Sequence, residues 1–278
     1  MTNQKVAVVT GSSSGIGYET ALLLARNRFR TYATMRNLEK SKQILEVAKK
    51  ENLPLQIVKL DVTDEKSVND AIKTIKSEAG RIDVLVNNAG YGLLGSLEDL
   101  AISEIKAQYE TNVFGLIRVT QAVLPTMREQ KSGIIVNISS IGGIMAIPLS
   151  SPYIGTKFAV EGLSESIAYD LEPFGIKVIL IEPGAIKTNF DTGMTVAQKS
   201  RNSSSPYFNT MQKFETSMSS LVRNGSPPSK VAEVILDAIN APNPNLRYTV
   251  GDDAALLAQK RKELSDSEFH RLVSDFLK

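Results

Sequence analysis

The 278-residue chain has no cysteine and a single histidine, His270. The first absence removes disulfides and thiolate chemistry, and one histidine near the C-terminus builds no metal site by itself. No basic block stands out and the net charge is only +2, so nothing favours nucleic acid or another polyanion as partner. No apolar run approaches the roughly eighteen residues that a membrane span needs. The first apolar stretch, Val6 to Val9, is short and leads straight into a glycine-rich turn, as a strand does and a signal peptide does not. What remains is an ordinary balance, 42% hydrophobic and 22% charged. It is enough for one α/β domain over residues 1–278 with a sizeable core. A cytoplasmic setting and no bound metal are expected.

Short β-branched runs alternate with longer helical patterns. Strands are predicted at 5–10, 31–35, 55–60, 82–87, 134–139, 177–182 and 247–250, and helices at 15–27, 38–51, 64–79, 103–130, 152–174 and 228–241. Runs such as Val84-Leu85-Val86 lack period-two alternation, which suits strands covered on both faces in a parallel sheet. Strand–helix alternation of this kind predicts a single doubly wound α/β domain with a seven-stranded parallel sheet.

The first strand runs into Thr10-Gly11-Ser12-Ser13-Ser14-Gly15-Ile16-Gly17 and then a helix. Glycines let the chain turn sharply and let a pyrophosphate approach the helix N-terminus, where free N–H groups and the dipole favour an anion. The spacing is G-x-x-x-G-x-G rather than G-x-G-x-x-G, and a glycine turn closing a βα unit is the plainer reading. The second strand ends in Met35-Arg36-Asn37, with no acid to hold ribose hydroxyls. Arg36 therefore favours NADP(H) over NAD(H), against a merely solvated arginine. Asp61, beside Val62, either contacts adenine or helps begin the next helix.

The later strands end in Asn87-Asn88-Ala89-Gly90, in Ser139-Ser140 and in Pro183-Gly184. Ligands of open parallel sheets bind beyond the carboxyl ends of the strands, so these residues converge on one crevice. Tyr153 and Lys157 form the only Tyr-x-x-x-Lys among eight tyrosines, and residues four apart share a helix face. Reducing a carbonyl requires an acid to supply a proton. Tyrosine, with pKa about 10, must be moved by about three units, or roughly 4 kcal/mol, to serve near neutrality. A lysine ammonium about 4 Å away at an effective dielectric near 20 supplies a contribution of that order. Ser140 can donate a hydrogen bond to the carbonyl oxygen.

On these motifs the chain resembles the short-chain dehydrogenase/reductase family over nearly its whole length. The family's T-G-x-x-x-G-x-G falls on Thr10 through Gly17 and its N-N-A-G on Asn87 through Gly90. The resemblance implies a Rossmann-type fold and a catalytic set of Asn112, Ser140, Tyr153 and Lys157, with Asn112 holding a water that links Lys157 to solvent. It implies cofactor contacts from Gly11, Ser13, Ser14, Gly15, Ile16, Gly17, Arg36, Asp61, Val62, Asn88, Ala89, Gly90, Tyr153, Lys157, Pro183, Gly184, Ile186 and Thr188, with Thr188 at the nicotinamide carboxamide. Tyr32 through Arg36 resembles the 17β-hydroxysteroid dehydrogenase type 1 and retinol dehydrogenase members. The family usually associates through the helices at 103–130 and 152–174, which implies a homodimer or homotetramer.

Residues 188–228 form an insertion rich in serine, threonine and asparagine, within which Met211, Phe214, Met218, Leu221 and Val222 make one apolar helix face. A substrate lid is expected there; a disordered excursion or an oligomer contact would share the pattern. The substrate walls are expected from Leu93, Leu94, Ile144, Met145, Ile147, Met194 and that face, which points to a small apolar ketone, aldehyde or alcohol. Plain core packing would look the same. Lys187, Lys199, Arg201 and Lys213 leave room for a 3-oxoacyl thioester, and a non-catalytic NADP(H) sensor and a sugar-nucleotide epimerase are further alternatives.

Overall fold

The computed structural model describes residues 4–188 and 194–275. The first half of the main sheet is β1 (Val6–Val9), β2 (Arg30–Met35), β3 (Leu55–Lys59) and β4 (Val84–Asn87), joined by helices α1 (Gly15–Arg26), α2 (Lys42–Lys50) and α3 (Glu65–Ala79). A short β5 (Leu93–Leu94) precedes α4 (Ile102–Tyr109), α5 (Gly115–Gln130), β6 (Gly133–Ile138), α6 (Ser151–Leu171) and β7 (Ile176–Pro183). Then come β8 (Thr195–Val196), α7 (Phe208–Asn224), α8 (Pro228–Asn240), β9 (Arg247–Val250), α9 (Asp252–Glu263) and α10 (Asp266–Ser274).

All seven predicted strands join one sheet in the order β3-β2-β1-β4-β6-β7-β9, and every pairing is parallel. This is a Rossmann-type fold. Neighbouring residues of one strand feed opposite layers. Ala7 and Val9 pack with α1, α2 and α8, whereas Val6 and Val8 pack with α3, α5 and α6. The period of two is present, but both faces are apolar, which is why the strands read as unbroken hydrophobic runs. The order in which strands are added reverses between β1 and β4, so a crevice opens at their carboxyl ends.

Helix boundaries follow local chemistry. Asp64 caps α3 by accepting from the amides of Lys66 and Ser67, and Gly80 ends it in the left-handed region. Ser265 and Glu268 form a reciprocal capping box on α10. The predicted helix over 103–130 is divided: a π-helical turn, Glu110–Phe114, separates α4 from α5. Gly115 follows it, where a Cβ would press on the Val62 side chain, and Arg118 ties the turn down by donating to the Val62 carbonyl and to Glu110. The helices α9 and α10 lie beyond the last element read from the sequence. Among the described residues no helix is long and apolar enough to cross a membrane, and no cluster of side chains suits a metal ion.

Candidate active site

The crevice at the carboxyl end of the sheet measures about 930 Å³. One end is made of backbone. Gly11 and Gly15 adopt positive φ, 67° and 61°, and a Cβ on Gly11 would lie 2.9 Å from the Ala89 Cα. Thr10 locks this turn to the end of β4: its hydroxyl accepts from the amides of Asn88 and Ala89, both at 3.0 Å. Asn88 returns the contact, its amide group donating to the carbonyls of Thr10 at 2.9 Å and Gly11 at 3.1 Å. Ser13, Ser14, Gly15, Ile16, Asn88, Ala89 and Gly90 face the crevice. Gly17 is one layer back, where it lets Asn88 pass close to α1.

The residues present fit a dinucleotide. No side chain caps α1 and no acid stands in its first turn, so its amides and dipole are available to a pyrophosphate. Thr188 stands across from Gly15, at 3.3 Å from where a Cβ would be. Arg36 lines the same end and, among the described residues, makes no ion pair. Asn37 and Lys40, neither singled out from the sequence, line it too. Asp61 accepts from both the amide and the hydroxyl of Thr63. The helix that follows is begun by Asp64 instead, so Asp61 and Val62 are left lining the crevice. Pro183, Gly184 and Ile186 line the opposite edge. There Asp253 of α9 accepts from the Ala185 amide at 2.7 Å, a partner no spacing in the sequence revealed.

Ser140, Tyr153 and Lys157 meet where this polar end gives way to an apolar one. Ser140 follows β6 and accepts from the Gly142 amide at 3.0 Å, and it stands beside the Tyr153 ring: a Cβ on Gly142 would lie 3.4 Å from Ser140 Oγ and 3.6 Å from Tyr153 Cε1. Lys157 donates to the Ile138 carbonyl at 2.9 Å, with its Nζ 5.7 Å from the centre of the Tyr153 ring. Burial pushes the phenol up, and the Ser140 hydrogen bond opposes that. Burial lowers the Lys157 ammonium to about 8, with Glu161 pulling the other way. Ser140 is thus an acidifying contact on Tyr153, and the lysine sits over the ring face, itself heavily desolvated.

Asn112 does not reach the crevice wall. It lies in the π-helical turn behind Gly90, with its Oδ1 accepting from the Tyr91 amide at 3.0 Å. Its Nδ2 donates to the Tyr91 carbonyl at 2.9 Å and to Thr156 at 3.2 Å, and Thr156 donates to the Tyr153 carbonyl at 2.7 Å. Both amide hydrogens are thus committed to protein.

The apolar end is assembled from distant segments: Leu94, Met145, Ile147, Met194, Phe214, Met218, Leu221 and Val222 line it, as do Leu257 of α9 and Val273 of α10. Leu93 turns away to pack with Leu100 and Ala197, and neither it nor Ile144 faces the crevice. Strand β8 pairs with β5, and buried Asp99 anchors the next stretch by accepting from Ser200 at 2.9 Å and Ser205 at 2.7 Å. None of Lys187, Lys199, Arg201 and Lys213 lines the crevice; Lys199 is spent on Asp99 at 3.6 Å.

Known proteins resemble the chain over most of its length. The short chain dehydrogenase family pattern matches residues 5–199. The uncharacterized oxidoreductase YusZ of Bacillus subtilis is 41% identical over 256 residues, 90% of each chain. A 3-ketodihydrosphingosine reductase of Bacteroides thetaiotaomicron is 37% identical, covering 93% of this chain and 92% of its own. The 17-beta-hydroxysteroid dehydrogenase type 1 of Mus musculus is 38% identical, covering 93% of this chain and 77% of its own. A short-chain dehydrogenase of Streptomyces avermitilis superposes with a TM-score of 0.79 at 34% identity, over 98% of this chain and 97% of that one. At this coverage and identity the chain belongs to the short-chain dehydrogenase/reductase family, as an NAD(P)-dependent oxidoreductase acting on CH–OH and C=O groups.

Proposed function

We propose that the chain interconverts a carbonyl and an alcohol on an apolar substrate, using NADP(H) in preference to NAD(H), with Tyr153 as general acid and base. The observation that carries this reading is the convergence of Ser140, Tyr153 and Lys157 on the crevice between its dinucleotide end and its apolar end. The nicotinamide, when bound, supplies or accepts the hydride. Ser140 donates to the substrate oxygen and Tyr153 transfers the proton. Lys157 lies over the ring face, where its charge favours the phenolate, and Asn112 fixes the Thr156 turn of α6 that carries Tyr153. Gly11, Ser13, Ser14, Gly15 and Ile16 hold the pyrophosphate, and Arg36 the 2′-phosphate. Asp61, Val62 and Asn88 to Gly90 hold the adenosine side, while Pro183, Gly184, Ile186 and Thr188 hold the nicotinamide side.

We read α7, with the described residues 194–228 around it, as a lid on the substrate, since Phe214, Met218, Leu221 and Val222 all face the crevice; residues 189–193 of the expected lid lie outside the described residues. Two of the relatives bear the names of steroid and sphingoid-base enzymes, and an apolar wall suits ketones of that bulk. The lysines and arginine that would favour a thioester carrier lie off the wall, which counts against a 3-oxoacyl reductase.

The test is NADPH oxidation against steroid ketones, retinal, medium-chain aldehydes, diketones and an acetoacetyl thioester, with NADH in parallel. Turnover rises with apolar size, and Tyr153→Phe lowers kcat by about 10³-fold while NADPH still binds. Activity confined to the thioester would replace the substrate assignment. A phenylalanine variant that turns over normally would remove Tyr153 from the chemistry.

A further inference from the structure

Behind Lys157 lies a buried acidic cluster for which the proton-transfer scheme has no use. Glu161, one helical turn after Lys157 on α6, is only 6% exposed, and Glu182, at the end of β7, only 3%. A buried carboxylate persists when a cation holds it, and here that cation comes from β9. Arg247 reaches Glu161 at 3.0 Å through Nε, Glu182 at 3.6 Å, and Glu165 at the surface at 2.7 Å through Nη2. Thr249 donates to Glu182 at 3.0 Å.

This arrangement leaves half of Glu161 unexplained. Arg247 takes Oε2, whereas Oε1 is buried without a hydrogen-bond donor among the described residues. Gly143, in the turn after Ser140, is the glycine beside it: a Cβ there would lie 3.1 Å from that Oε1 and 2.6 Å from the Ser139 hydroxyl. The carboxylate thus sits under the Ser139–Gly143 turn, on the side of α6 that bears Lys157.

We propose that Glu161 is a positioning residue for Lys157, a buried counter-charge held by Arg247 that keeps the lysine protonated beneath Tyr153. This deepens the oxidoreductase reading and rests on it for its role in turnover, though not for its physical content. The groups facing Lys157 are Tyr153 and Glu161 from its own helix and the Ile138 carbonyl from β6. Among the described residues, those facing Glu161 are Lys157 and Glu165 from α6, Ser139 just after β6, Glu182 from β7 and Arg247 from β9. Burial lowers Lys157 to about 8, and Glu161 is the neighbour that raises it. The sign follows. A base with a depressed pKa loses its charge as pH rises through that value, and removing Glu161 brings the loss to lower pH. Glu182 is itself held up by burial first and by Glu161 second.

The experiment is direct titration of Lys157 in the full-length protein by the carbon-13 shift of its ε-carbon, the resonance being assigned by its loss in Lys157→Arg. In Glu161→Gln the midpoint falls by about one pH unit, and the alkaline limb of kcat/KM moves down with it. Arg247 keeps Glu165 and Glu182 as partners in that variant, so no guanidinium is orphaned. Glu182→Gln moves the midpoint by less than half as much. Glu161→Asp, which withdraws the carboxylate by one methylene, moves it part of the way and covers the case in which the amide variant does not fold. An unchanged midpoint in the Glu161 variants, or an equal shift in Glu182→Gln, overturns the proposal. A midpoint that moves in a protein that turns over no carbonyl leaves the positioning role standing and sinks the oxidoreductase reading instead.

Discussion

The two ends of the crevice are built on different principles. At the dinucleotide end the wall is main chain: two glycines with positive φ, a threonine hydroxyl receiving two amides, and an asparagine amide bridging two carbonyls. Each group there has a partner that tolerates no substitute. At the substrate end the wall is side chain, gathered from β5, the turn after β6, α7, α9 and α10. Those residues share only volume and apolarity, which many sequences satisfy. Main-chain geometry restricts residue identity, whereas an apolar wall restricts only total shape. The first end is therefore specified residue by residue and the second only in aggregate, and substitutions should divide accordingly.

Gly17→Ala tests the rigid end where it is tightest. A Cβ there collides with the Asn88 side-chain amide and lies 2.6 Å from the Gly11 carbonyl. Those two groups are hydrogen-bonded to each other at 3.1 Å, so neither retreats without losing the other. We expect a loss of roughly 1–3 kcal/mol in stability from overpacking and a fall in NADPH affinity of about 100-fold, read by denaturant unfolding and fluorescence titration. Wild-type affinity in this variant would erase the distinction between the two ends.

Arg36→Asp acts at the same end through a side chain, and its effect is smaller. One charge-assisted contact to a 2′-phosphate is worth about 1.5–3 kcal/mol, so the NADPH Kd rises roughly tenfold to a hundredfold while that of NADH changes little. Equal losses with both cofactors would make Arg36 structural and would leave Lys40, nearby on the same wall, to carry any preference.

This division also explains what was legible in the sequence. The sheet was, because β-branched runs covered on both faces leave an unbroken apolar signal. So was the glycine turn, because φ near +60° and contacts under 3 Å select glycine itself. Ser140, Tyr153 and Lys157 were visible through spacing on one strand end and one helix. The structure brings them together, although the balance of forces on Tyr153 differs: burial, opposed by Ser140, pushes the phenol up, and no spacing encodes burial. The π-helical turn was not legible, since it arises from the packing of Gly115 on Val62 and the pull of Arg118. Asn112 was found by its motif, yet its commitment to Tyr91 and Thr156 depends on a loop brought in from β4. The walls supplied by Leu257 and Val273 went unread because α9 and α10 carry no motif, and their apolar residues mean nothing until the chain has folded back over the crevice.

Met218→Ala is the smallest of these changes and the sharpest test of the aggregate end. Met218 lies on α7, half-buried beside Leu94, Met211 and Phe214, with its side chain on the crevice. The thioether is flexible and makes no hydrogen bond that truncation would orphan, so the protein keeps its fold. Removing its outer atoms withdraws about two to three methylene equivalents of contact, each worth about 0.8 kcal/mol when fully buried. Half-buried, they amount to about 1 kcal/mol, or some fivefold in kcat/KM. That loss falls on bulky apolar ketones alone; small aldehydes that never reach α7 react as before, and NADPH binds unchanged. A loss shared equally by large and small substrates would mean that α7 supports the Tyr153 region and does not touch the substrate. In that case the substrate end, like the dinucleotide end, would be specified by fixed contacts.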